Sequence, residues 1–528
     1  MPSPKKKKTS QNKINYPDLT YDAVIIGGGF AGLFMAIRLA EKRPRDKIML
    51  LEKNPFAGGR LRTRYLEKKN KKESTLFEEG AWRIPKDSAH KPLRDFLTNE
   101  LAITLIDTEP SKSSSSSSHQ EASLHHVSER QAYMSVFASK VLDTNRNETN
   151  VDLSRILKEE RNTGYADIWM QPENPNREKL AYSAKQSSGF QVAKEGFSCV
   201  VQRMLEKVLS NKNTDVFFMA QVQDVVRPVS HPNNMVKIFI RKRGKDDTHP
   251  TTVLTKKVFV ALPPEASRKW PSFYKKNILT HACVTSLPLC HIYVRTNNLV
   301  LKNVQQKIGS KNHIVAPDSI LQQTTVLPYK NDWLQISYSA GRVSRLWQQW
   351  YFAMDKKSFT KILQSQLQSL LGQKTEPEVY DTAFCYWENA VHYFRPGLGF
   401  NLAKTVSKCL RPSPRDLPNV FVVGEAYSSF QGWLMGCVET CNRALQQAFE
   451  KSSMSKNKDT SKEHIVRINS WQIDFEKNVL AKEWLEKHPG GEDVLKKYMG
   501  KKDCAVSVLG VSHSDSALAT ALYLSHES

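Results

Sequence analysis

The sequence predicts an α/β fold, because an apolar strand, a glycine-rich turn, a helix and a second apolar strand follow one another near its start. Apolar periodicity and the glycines set the boundaries of these elements. They are a strand at residues 21–26, a turn at 27–29, a helix at 30–42 and a strand at 47–52. A short apolar strand at 420–423, followed by a helix from about residue 432 to 450, is expected to join the same domain.

The middle of the chain is predicted to mix strands and amphipathic helices. The expected elements are a helix at 197–209, β-rich segments at 216–226, 236–241 and 258–262, a Trp-bearing strand at 333–338 and an amphipathic stretch at 345–371. The Ser-rich run at 111–119 offers little apolar surface to bury, so we expect a mobile surface insertion there.

Composition and charge bound the class of protein. The chain has 528 residues, of which 40% are hydrophobic and 9% aromatic, and this excludes a wholly disordered protein. The net charge of +24 predicts weak, salt-sensitive binding to anionic polymers rather than sequence-specific recognition.

The cysteines and the N-terminal residues indicate the cellular compartment of the protein. Eight cysteines are widely spaced without a C-x-x-C pair, which disfavours a disulfide framework and a zinc ribbon. The basic N-terminal residues lack the apolar core of a secretory signal, and the uncharged stretch at 23–37 is too short to span a bilayer. We expect an intracellular protein, cytoplasmic or nuclear and not secreted, without a transmembrane segment.

The first βαβ unit carries the pattern of a dinucleotide site. Gly27-x-Gly29-x-x-Gly32 follows the apolar strand and opens the helix, so that backbone and helix N-terminus can approach a pyrophosphate. Glu52 ends the second strand, where a carboxylate can accept hydrogen bonds from a ribose. A glycine-rich turn without a ligand is the alternative.

Further motifs separate FAD from NAD. Gly58-Gly59-Arg60 comes directly after the acidic strand end, and similar segments follow in order at residues 77–83, 221–222, 258–264, 423–425 and 431–436. Together they resemble the flavin-containing amine oxidase family, over roughly residues 20–450. The resemblance implies a Rossmann-like FAD-binding domain with an interleaved α+β substrate domain. The predicted cofactor-binding residues are Gly27, Gly29, Ala31, Gly32, Glu52, Gly59, Arg60, Gly80, Ala81, Val222, Gly424, Glu425, Gly432 and Trp433.

The family resemblance also implies a substrate site. Trp433 matches one of two aromatic walls over the flavin, and the other is expected among His392, Tyr393 and Phe394, with Tyr393 as the predicted catalytic residue. The family's usual lysine is absent from the strand at 286–295, and His291 is the candidate replacement. A packed, hydrogen-bonded histidine is the alternative for His291. The missing lysine puts ordinary monoamine oxidase activity and fast oxygen reactivity in question.

The C-terminal segment resembles cytochrome b5. Trp484, His488-Pro-Gly-Gly and His513-Ser fall in the order of that protein's two haem-ligand segments. The resemblance implies that His488 and His513 ligate the iron of a haem b. A b5-like fold without haem is the alternative, because the segment is short and its first strand matches poorly.

These observations predict a multidomain organisation. We expect a basic disordered tail at 1–20, an FAD-binding domain from 21–105, 190–265 and 405–450, and a substrate domain from 106–189 and 266–404. A linker at 451–463 and a cytochrome b5-like module at 464–528 are expected to follow.

The resemblance implies an FAD-dependent oxidoreductase that transfers hydride from an amine-like substrate to flavin N5. Oxygen, the fused haem or an external acceptor would then take the electrons. One alternative is a non-catalytic protein that keeps FAD for stability and binds anionic partners through its basic surface. A second is a desaturase or an enzyme similar to protoporphyrinogen oxidase.

Overall fold

A computed structural model of the chain describes thirteen stretches of residues. They are 20–67, 74–108, 190–228, 235–242, 251–308, 313–316, 320–329, 332–395, 401–449, 464–488, 490–501, 503–505 and 513–527. The predicted basic tail up to residue 19, the Ser-rich insertion at 111–119, the linker at 451–463 and Pro489 lie outside the described residues.

The strands and helices are numbered along the chain. The strands are β1 (Thr20–Ile26), β2 (Ile48–Leu51), β3 (Thr63–Glu67), β4 (Ser74–Glu78), β5 (Ile84–Pro85), β6 (Leu105–Asp107), β7 (Phe190–Ala193), β8 (Thr214–Phe217), β9 (Ala220–Val226), β10 (Val236–Lys242), β11 (Thr251–Val260), β12 (Val284–Thr296), β13 (His313–Ala316), β14 (Gln322–Val326), β15 (Trp333–Ala340), β16 (Val379–Phe394), β17 (Val420–Val422), β18 (Ile465–Ile468), β19 (Trp471–Asp474) and β20 (His526–Glu527). The α-helices are α1 (Phe30–Lys42), α2 (Lys91–Asp95), α3 (Phe197–Leu209), α4 (Pro264–Ser267), α5 (Pro271–Lys276), α6 (Ile278–Ala282), α7 (Asn298–Ile308), α8 (Gly341–Ala353), α9 (Lys356–Leu371), α10 (Leu402–Leu410), α11 (Leu434–Phe449), α12 (Val479–Glu486), α13 (Glu492–Lys496) and α14 (Asp515–Leu524).

A seven-stranded sheet forms the α/β part that the sequence predicts. Its order is β8-β2-β1-β11-β10-β9, and β17 pairs with the second half of β11. The strands β8, β2, β1, β11 and β17 run parallel, with Val24 of β1 between Met49 and Val258. Every residue of β2 is buried, as expected for a parallel strand covered on both faces. Helix α1 packs on one face, so the glycine-rich turn between β1 and α1 lies at the carboxyl end of the sheet.

A second, antiparallel sheet stands beside the first. Its order is β13-β14-β15-β12-β16, and helices α7, α8 and α9 contribute to the apolar core on one of its faces. The long strand β16 brings residues 379–394 alongside β12, and its carboxyl end reaches the short 3₁₀ helix Glu425–Tyr427 that follows β17. This end of β16 therefore connects the second sheet to the first.

The C-terminal residues pack against the α/β part. The strands β18, β19 and β20 form a small antiparallel sheet, and α14 contacts α6. The Nζ of Lys408, on α10, is buried and donates to the carbonyl oxygen of Leu522 at 2.6 Å and to that of Ser525. The indole nitrogen of Trp471 donates to the carbonyl oxygen of Pro412 at 3.1 Å. The C-terminal residues and the α/β part thus share one apolar core.

Two of the predicted segments divide into separate elements. The predicted β-rich segment at 216–226 is two strands, β8 and β9, because Met219 between them has φ +58°. The amphipathic stretch at 345–371 is two helices, because the Asp355 side chain caps the second one by accepting from the backbone of Lys357 and Ser358. None of the helices in the described ranges has the length and apolarity that a membrane crossing requires.

Candidate functional site

The glycine-rich turn has the geometry of a phosphate-binding turn. Gly27 has φ +110°, which favours glycine, and a Cβ on Gly32 would lie 1.8 Å from the carbonyl oxygen of Gly27. Gly29 differs, because a Cβ there would meet nothing closer than the Cα of Gly59, 3.9 Å away. The first and third glycines are thus required by backbone conformation and packing, whereas a Cβ at the second would make only ordinary contacts.

Glu52 closes one side of this turn. Its carboxylate is buried and accepts from the backbone of Gly28 at 2.7 Å and from that of Asn54 at 2.8 Å. The side chain is therefore fixed at the carboxyl end of β2, beside the glycines. This is the position at which a ribose hydroxyl pair was predicted to bind.

A second glycine loop lies against the first. Gly58 forms an isolated parallel bridge with Gly29, and the Cα of Gly29 is 3.3 Å from where a Cβ of Gly59 would be. Gly80 packs so closely on Arg60 that an added Cβ would lie 1.9 Å from the Arg60 carbonyl oxygen, which also accepts from the backbone of Ala81. The structure thus brings together the predicted residues of three separate motifs.

Arg60 belongs to a buried chain of alternating charges, which we call the Arg60 cluster: Arg60, Glu425, His392 and Glu265. The Oε1 of Glu425 lies 2.8 Å from Nη1 of Arg60 and 2.6 Å from Nδ1 of His392. The Nε2 of His392 is 3.2 Å from Oε2 of Glu265. His392 has no exposed side-chain surface. The four side chains come from a loop, a 3₁₀ helix, β16 and α4.

The charges of the Arg60 cluster stabilise one another. Burial opposes ionisation of Glu425, but Arg60 and His392 outweigh it and lower its pKa to about 2. Burial also opposes ionisation of Glu265, but the hydrogen bond and charge of His392 outweigh it and lower the pKa of Glu265 to about 2. Burial disfavours the imidazolium of His392, but the two carboxylates raise its pKa above the ordinary value. The cluster therefore holds two anions and two cations near neutral pH.

Glu425 also fixes the turn before α11. Its Oε2 accepts from the backbone of Gly432 at 2.8 Å, and Gly432 has φ +79°. The backbone of Gly424 donates to Oγ1 of Thr440 at 2.9 Å, and an added Cβ on Gly424 would meet no atom within 4 Å. The predicted residues of the closing motif thus line open space on one side and are held by α11 on the other.

Trp433 lies among aromatic residues. Its ring centroid is 5.5 Å from that of His90 and 6.1 Å from that of Phe190, which stacks on it. Nδ1 of His90 lies 2.8 Å from Oδ1 of Asp87, while its buried Nε2 has no hydrogen-bond partner among the described residues. The rings next to Trp433 thus belong to residues that the sequence analysis did not name, and its place as an aromatic wall over the flavin stays a prediction.

The Arg83 side chain lies over Phe190, which also contacts Trp433, and over two further aromatic rings. The guanidinium of Arg83 is 4.6 Å from the ring centroid of Phe190, 5.2 Å from that of Trp82 and 6.0 Å from that of Tyr338. In the described ranges it makes neither an ion pair nor a hydrogen bond, although its side chain is partly buried. Phe190 links it to Trp433.

Tyr393 and His291 lie in different surroundings. Tyr393 is partly buried and packs against the core shared with the C-terminal residues. His291 is buried on β12, with Nδ1 3.1 Å from the hydroxyl of Tyr293 and 3.1 Å from Nε2 of Gln335. Burial, reinforced by Arg83, lowers the pKa of His291 to about 3, so the ring is neutral. The catalytic roles of both residues stay predictions.

The other predicted residues occupy buried or paired positions. Ala31 is buried in α1, and its carbonyl oxygen is 3.4 Å from Sγ of Cys441. Val222 is buried on β9, and its carbonyl oxygen accepts from the indole of Trp270. His488 and His513 lie close together, with ring centroids 6.3 Å apart and an interplanar angle of 52°.

Sequence reasoning missed Arg83, His90 and Phe190 as neighbours of Trp433, and treated His392 only as a possible aromatic wall. Arg83 is the last residue of the family-like segment at 77–83, and this position was an available signal. The contact between His392 and Glu265 spans 127 positions and left no local pattern.

Comparisons with known proteins agree with this geometry. A family model described as NAD(P)-binding Rossmann-like domain matches residues 25–98, and one described as flavin containing amine oxidoreductase matches residues 107–447. A sequence comparison with curated proteins finds no match.

Solved structures share the fold. An engineered putrescine oxidase with redesigned cofactor binding is 13% identical, with a TM-score of 0.50, over 82% of this chain and 100% of that chain. A protein described as a protoporphyrinogen oxidase from Exiguobacterium sp. 255-15 is 12% identical, with a TM-score of 0.53, over 80% of this chain and 97% of that chain.

Proposed function

Because the chain belongs to the family of flavin-containing amine oxidoreductases and is an FAD-dependent oxidoreductase, we propose that its substrate is an amine that also carries a negatively charged group, such as a carboxylate. FAD, when bound, accepts a hydride from the carbon next to the substrate nitrogen. The residues of this chain supply binding, orientation and exclusion of water.

The single observation that supports this substrate class is the Arg83 guanidinium. It lies over Phe190, which stacks on Trp433, and it has no carboxylate partner in the described part of the chain. A guanidinium binds a carboxylate with two parallel hydrogen bonds, and the aromatic rings around it hold it in place. The same charge would repel a second ammonium group, so a polyamine is disfavoured.

His90 supports an amine as the other half of the substrate. Asp87 accepts from Nδ1 of His90, which leaves the buried Nε2 as a hydrogen-bond acceptor without a partner among the described residues. An unpartnered buried acceptor is costly unless a ligand completes it. We infer that Nε2 accepts a hydrogen bond from the substrate nitrogen beside Trp433.

The residues present fit FAD. An added Cβ would meet no described atom within 4 Å at Gly424 and would make only ordinary contacts at Gly29, and Glu52 is fixed beside the turn. Gly29 and Gly59 would admit the pyrophosphate, with Arg60 as its cationic partner, and Glu52 would hold the ribose. The N-terminus of α11, which follows Gly432 and Trp433, would lie against the flavin.

The test of the substrate class is anaerobic bleaching of the flavin absorbance by a panel of matched amines. Amines with a carboxylate should reduce the flavin with a higher kcat/KM than the same amines with that group replaced by an amide. Arg83→Met should abolish this preference by raising KM about tenfold or more for the carboxylates, the equivalent of one charge-assisted hydrogen bond.

Arg345→Met is the matched control, because Arg345 is an exposed arginine paired with Glu388 on the second sheet. It should behave like the wild type. A wild-type preference for the amides or for polyamines, or an Arg83→Met variant that keeps the carboxylate preference, would contradict the proposed substrate class.

We also propose that the C-terminal module is cytochrome b5-like and that His488 and His513 hold a haem b that carries electrons. Two imidazoles on opposite sides of one metal ion have ring centroids about 6 Å apart, from two metal–nitrogen bonds of about 2 Å and the ring radii. The 6.3 Å between these two rings fits that requirement. Burial and His513 lower the pKa of His488, which favours the neutral, ligating form.

The haem proposal is tested on the full chain expressed with haem supplied. The spectrum should show a low-spin haem with two histidine ligands, and both His488→Ala and His513→Ala should abolish it. His464→Ala, in the same module, should keep it. Full-length protein that contains flavin but takes up no haem would rule the proposal out, and oxygen or an external acceptor would then take the electrons.

A further inference from the structure

The Arg60 cluster contains His392, which the sequence analysis considers only as a possible aromatic wall and which the proposed chemistry does not use. His392 lies at the carboxyl end of β16 with no exposed surface, and both ring nitrogens are close to carboxylates. Nδ1 faces Glu425 at 2.6 Å and Nε2 faces Glu265 at 3.2 Å. A neutral imidazole can donate from only one nitrogen, whereas the imidazolium donates from both. The geometry therefore selects the protonated ring.

Among the described residues, His392 is the cation that contacts both carboxylates of the Arg60 cluster. Arg60 contacts the same oxygen of Glu425, Oε1, and its Nη1 also donates to the carbonyl oxygen of Ala390. Ser286, the β12 residue paired with His392, is uncharged. Burial raises the pKa of the Cys437 thiol, on α11, to about 12, so that group is neutral as well. Without the imidazolium, Arg60 would face two carboxylates alone.

We propose that His392 is a positioning residue for cofactor binding: its imidazolium and the Arg60 guanidinium together balance Glu265 and Glu425, so that Arg60 can bind the FAD pyrophosphate without an excess of negative charge beside it. This inference rests on the proposed place of Arg60 at the pyrophosphate. Loss of the proton from His392 leaves the Arg60 cluster with one uncompensated negative charge. That charge repels an anionic ligand, because His392 and Glu425 are buried and their charges are poorly screened.

The same contacts couple His392 to Trp433. Glu425 holds the backbone of Gly432 at 2.8 Å through its second oxygen while His392 and Arg60 hold the first. Removal of the imidazolium therefore loosens the carboxylate that fixes the turn before α11. His392 acts on the cofactor through Glu425 and Arg60, and touches neither the substrate nor the reacting atoms in this arrangement.

The test is titration of the FAD-stripped full-length protein with FAD, followed by flavin fluorescence, from pH 6 to pH 9. The wild type should bind FAD more weakly as the pH rises, because the proton that favours binding is lost through the raised pKa of His392. His392→Gln should bind FAD about tenfold or more weakly at pH 6, the equivalent of at least one pKa unit of interaction, and its affinity should vary less with pH.

A second pair of variants separates charge from shape. Glu265→Gln alone should keep or improve FAD affinity, because it removes a negative charge from the cluster. The double variant His392→Gln with Glu265→Gln restores neutrality and should recover wild-type affinity to within about twofold, the ordinary error of additivity. His281→Gln is the control, since His281 is also a buried histidine and its two ring nitrogens have no hydrogen-bond partner among the described residues.

The outcomes distinguish this inference from the function on which it rests. If the wild type binds FAD and His392→Gln binds it equally well, the inference is wrong while the FAD-dependent function stands. If the double variant is as weak as His392→Gln, His392 acts through its shape, and the charge argument is wrong. Wild-type protein that binds no FAD would overturn the proposed function and this inference together. Thermal melting of each stripped variant checks that it is folded.

Discussion

Two glycines at the start of α1, Gly29 and Gly32, should respond differently to the same substitution. In Gly29→Ala the new Cβ meets only the Cα of Gly59 at 3.9 Å and the carbonyl oxygen of Gly58 at 4.0 Å, which are ordinary contacts. In Gly32→Ala the new Cβ lies 1.8 Å from the carbonyl oxygen of Gly27, and both atoms belong to rigid backbone. Alanine is therefore accommodated at the first position and excluded at the second.

The magnitudes follow from these distances. Gly29→Ala should cost the stripped protein about 0.5–1 kcal/mol of unfolding free energy, the usual loss at a helix N-cap. The methyl group takes space that the pyrophosphate needs, and an overpacking cost of about 1–3 kcal/mol corresponds to a roughly tenfold to hundredfold weaker FAD complex. Gly32→Ala should lower the melting temperature of the stripped protein itself.

The assay combines thermal melting without FAD and fluorescence titration with FAD. Gly29→Ala should melt close to the wild type and bind FAD weakly, whereas Gly32→Ala should be impaired in both measurements. If Gly29→Ala binds FAD with wild-type affinity, the space beside Gly29 is not the phosphate site, and our placement of the cofactor is wrong.

Four further substitutions test other parts of the structure. Trp433→Ala should slow reduction of the flavin by substrate far more than it weakens FAD binding, and equal turnover would assign Trp433 to packing. His291→Ala should slow only the reaction of reduced enzyme with oxygen if His291 replaces the missing lysine; unchanged reoxidation would show that it is a packed histidine. Burial raises the pKa of Glu78 to about 8, so the native state holds a proton that the unfolded chain loses near pH 4.5. Stability should therefore fall as the pH rises from about 4.5 to 8, and Glu78→Gln should flatten this dependence of the melting temperature on pH. An unchanged slope of melting temperature against pH in the variant would refute this role of Glu78. Lys408→Met should lower the unfolding free energy by about 2–3 kcal/mol, because the Lys408 ammonium satisfies carbonyl groups at the end of α14. The control is Lys404→Met at an exposed lysine, and equal melting temperatures of the two variants would contradict the role of Lys408.

The local elements of the fold follow closely from the sequence. The helices α1 and α3 begin and end at the residues that apolar periodicity predicts, because their buried faces repeat with the helical period. The predictions were less accurate where a single residue breaks an apolar run. Met219, with φ +58°, and the N-cap Asp355 each divide a segment that periodicity treats as continuous. The sequence could have indicated the helix start at Asp355, because aspartate is a preferred N-cap residue. No residue type in the sequence indicates the positive φ of Met219.

The site was predictable where its residues lie in contiguous motifs. Glycines, Arg60 and the turn at Trp433 are read from short patterns, since a phosphate turn needs small residues at fixed spacing. Arg83, His90 and Phe190 reach Trp433 through the packing of separate strands and helices, and no spacing rule connects them. His392 is the clearest case, because its role depends on two carboxylates that only the tertiary fold brings to its two nitrogens.

The C-terminal module shows how packing changes the experiment that a motif suggests. The motif alone invites a test on an isolated fragment, but the hydroxyl of Tyr523 contacts the carbonyl oxygens of Arg395 and Cys283, and Arg395 also pairs with Asp515 at 2.9 Å. Asp515 begins α14 two residues after His513, so the position of that histidine depends on the end of β16. Excising the module would expose this shared core and release Asp515 from Arg395. A fragment that fails to bind haem would therefore say nothing about His488 and His513, and only the full chain can test them.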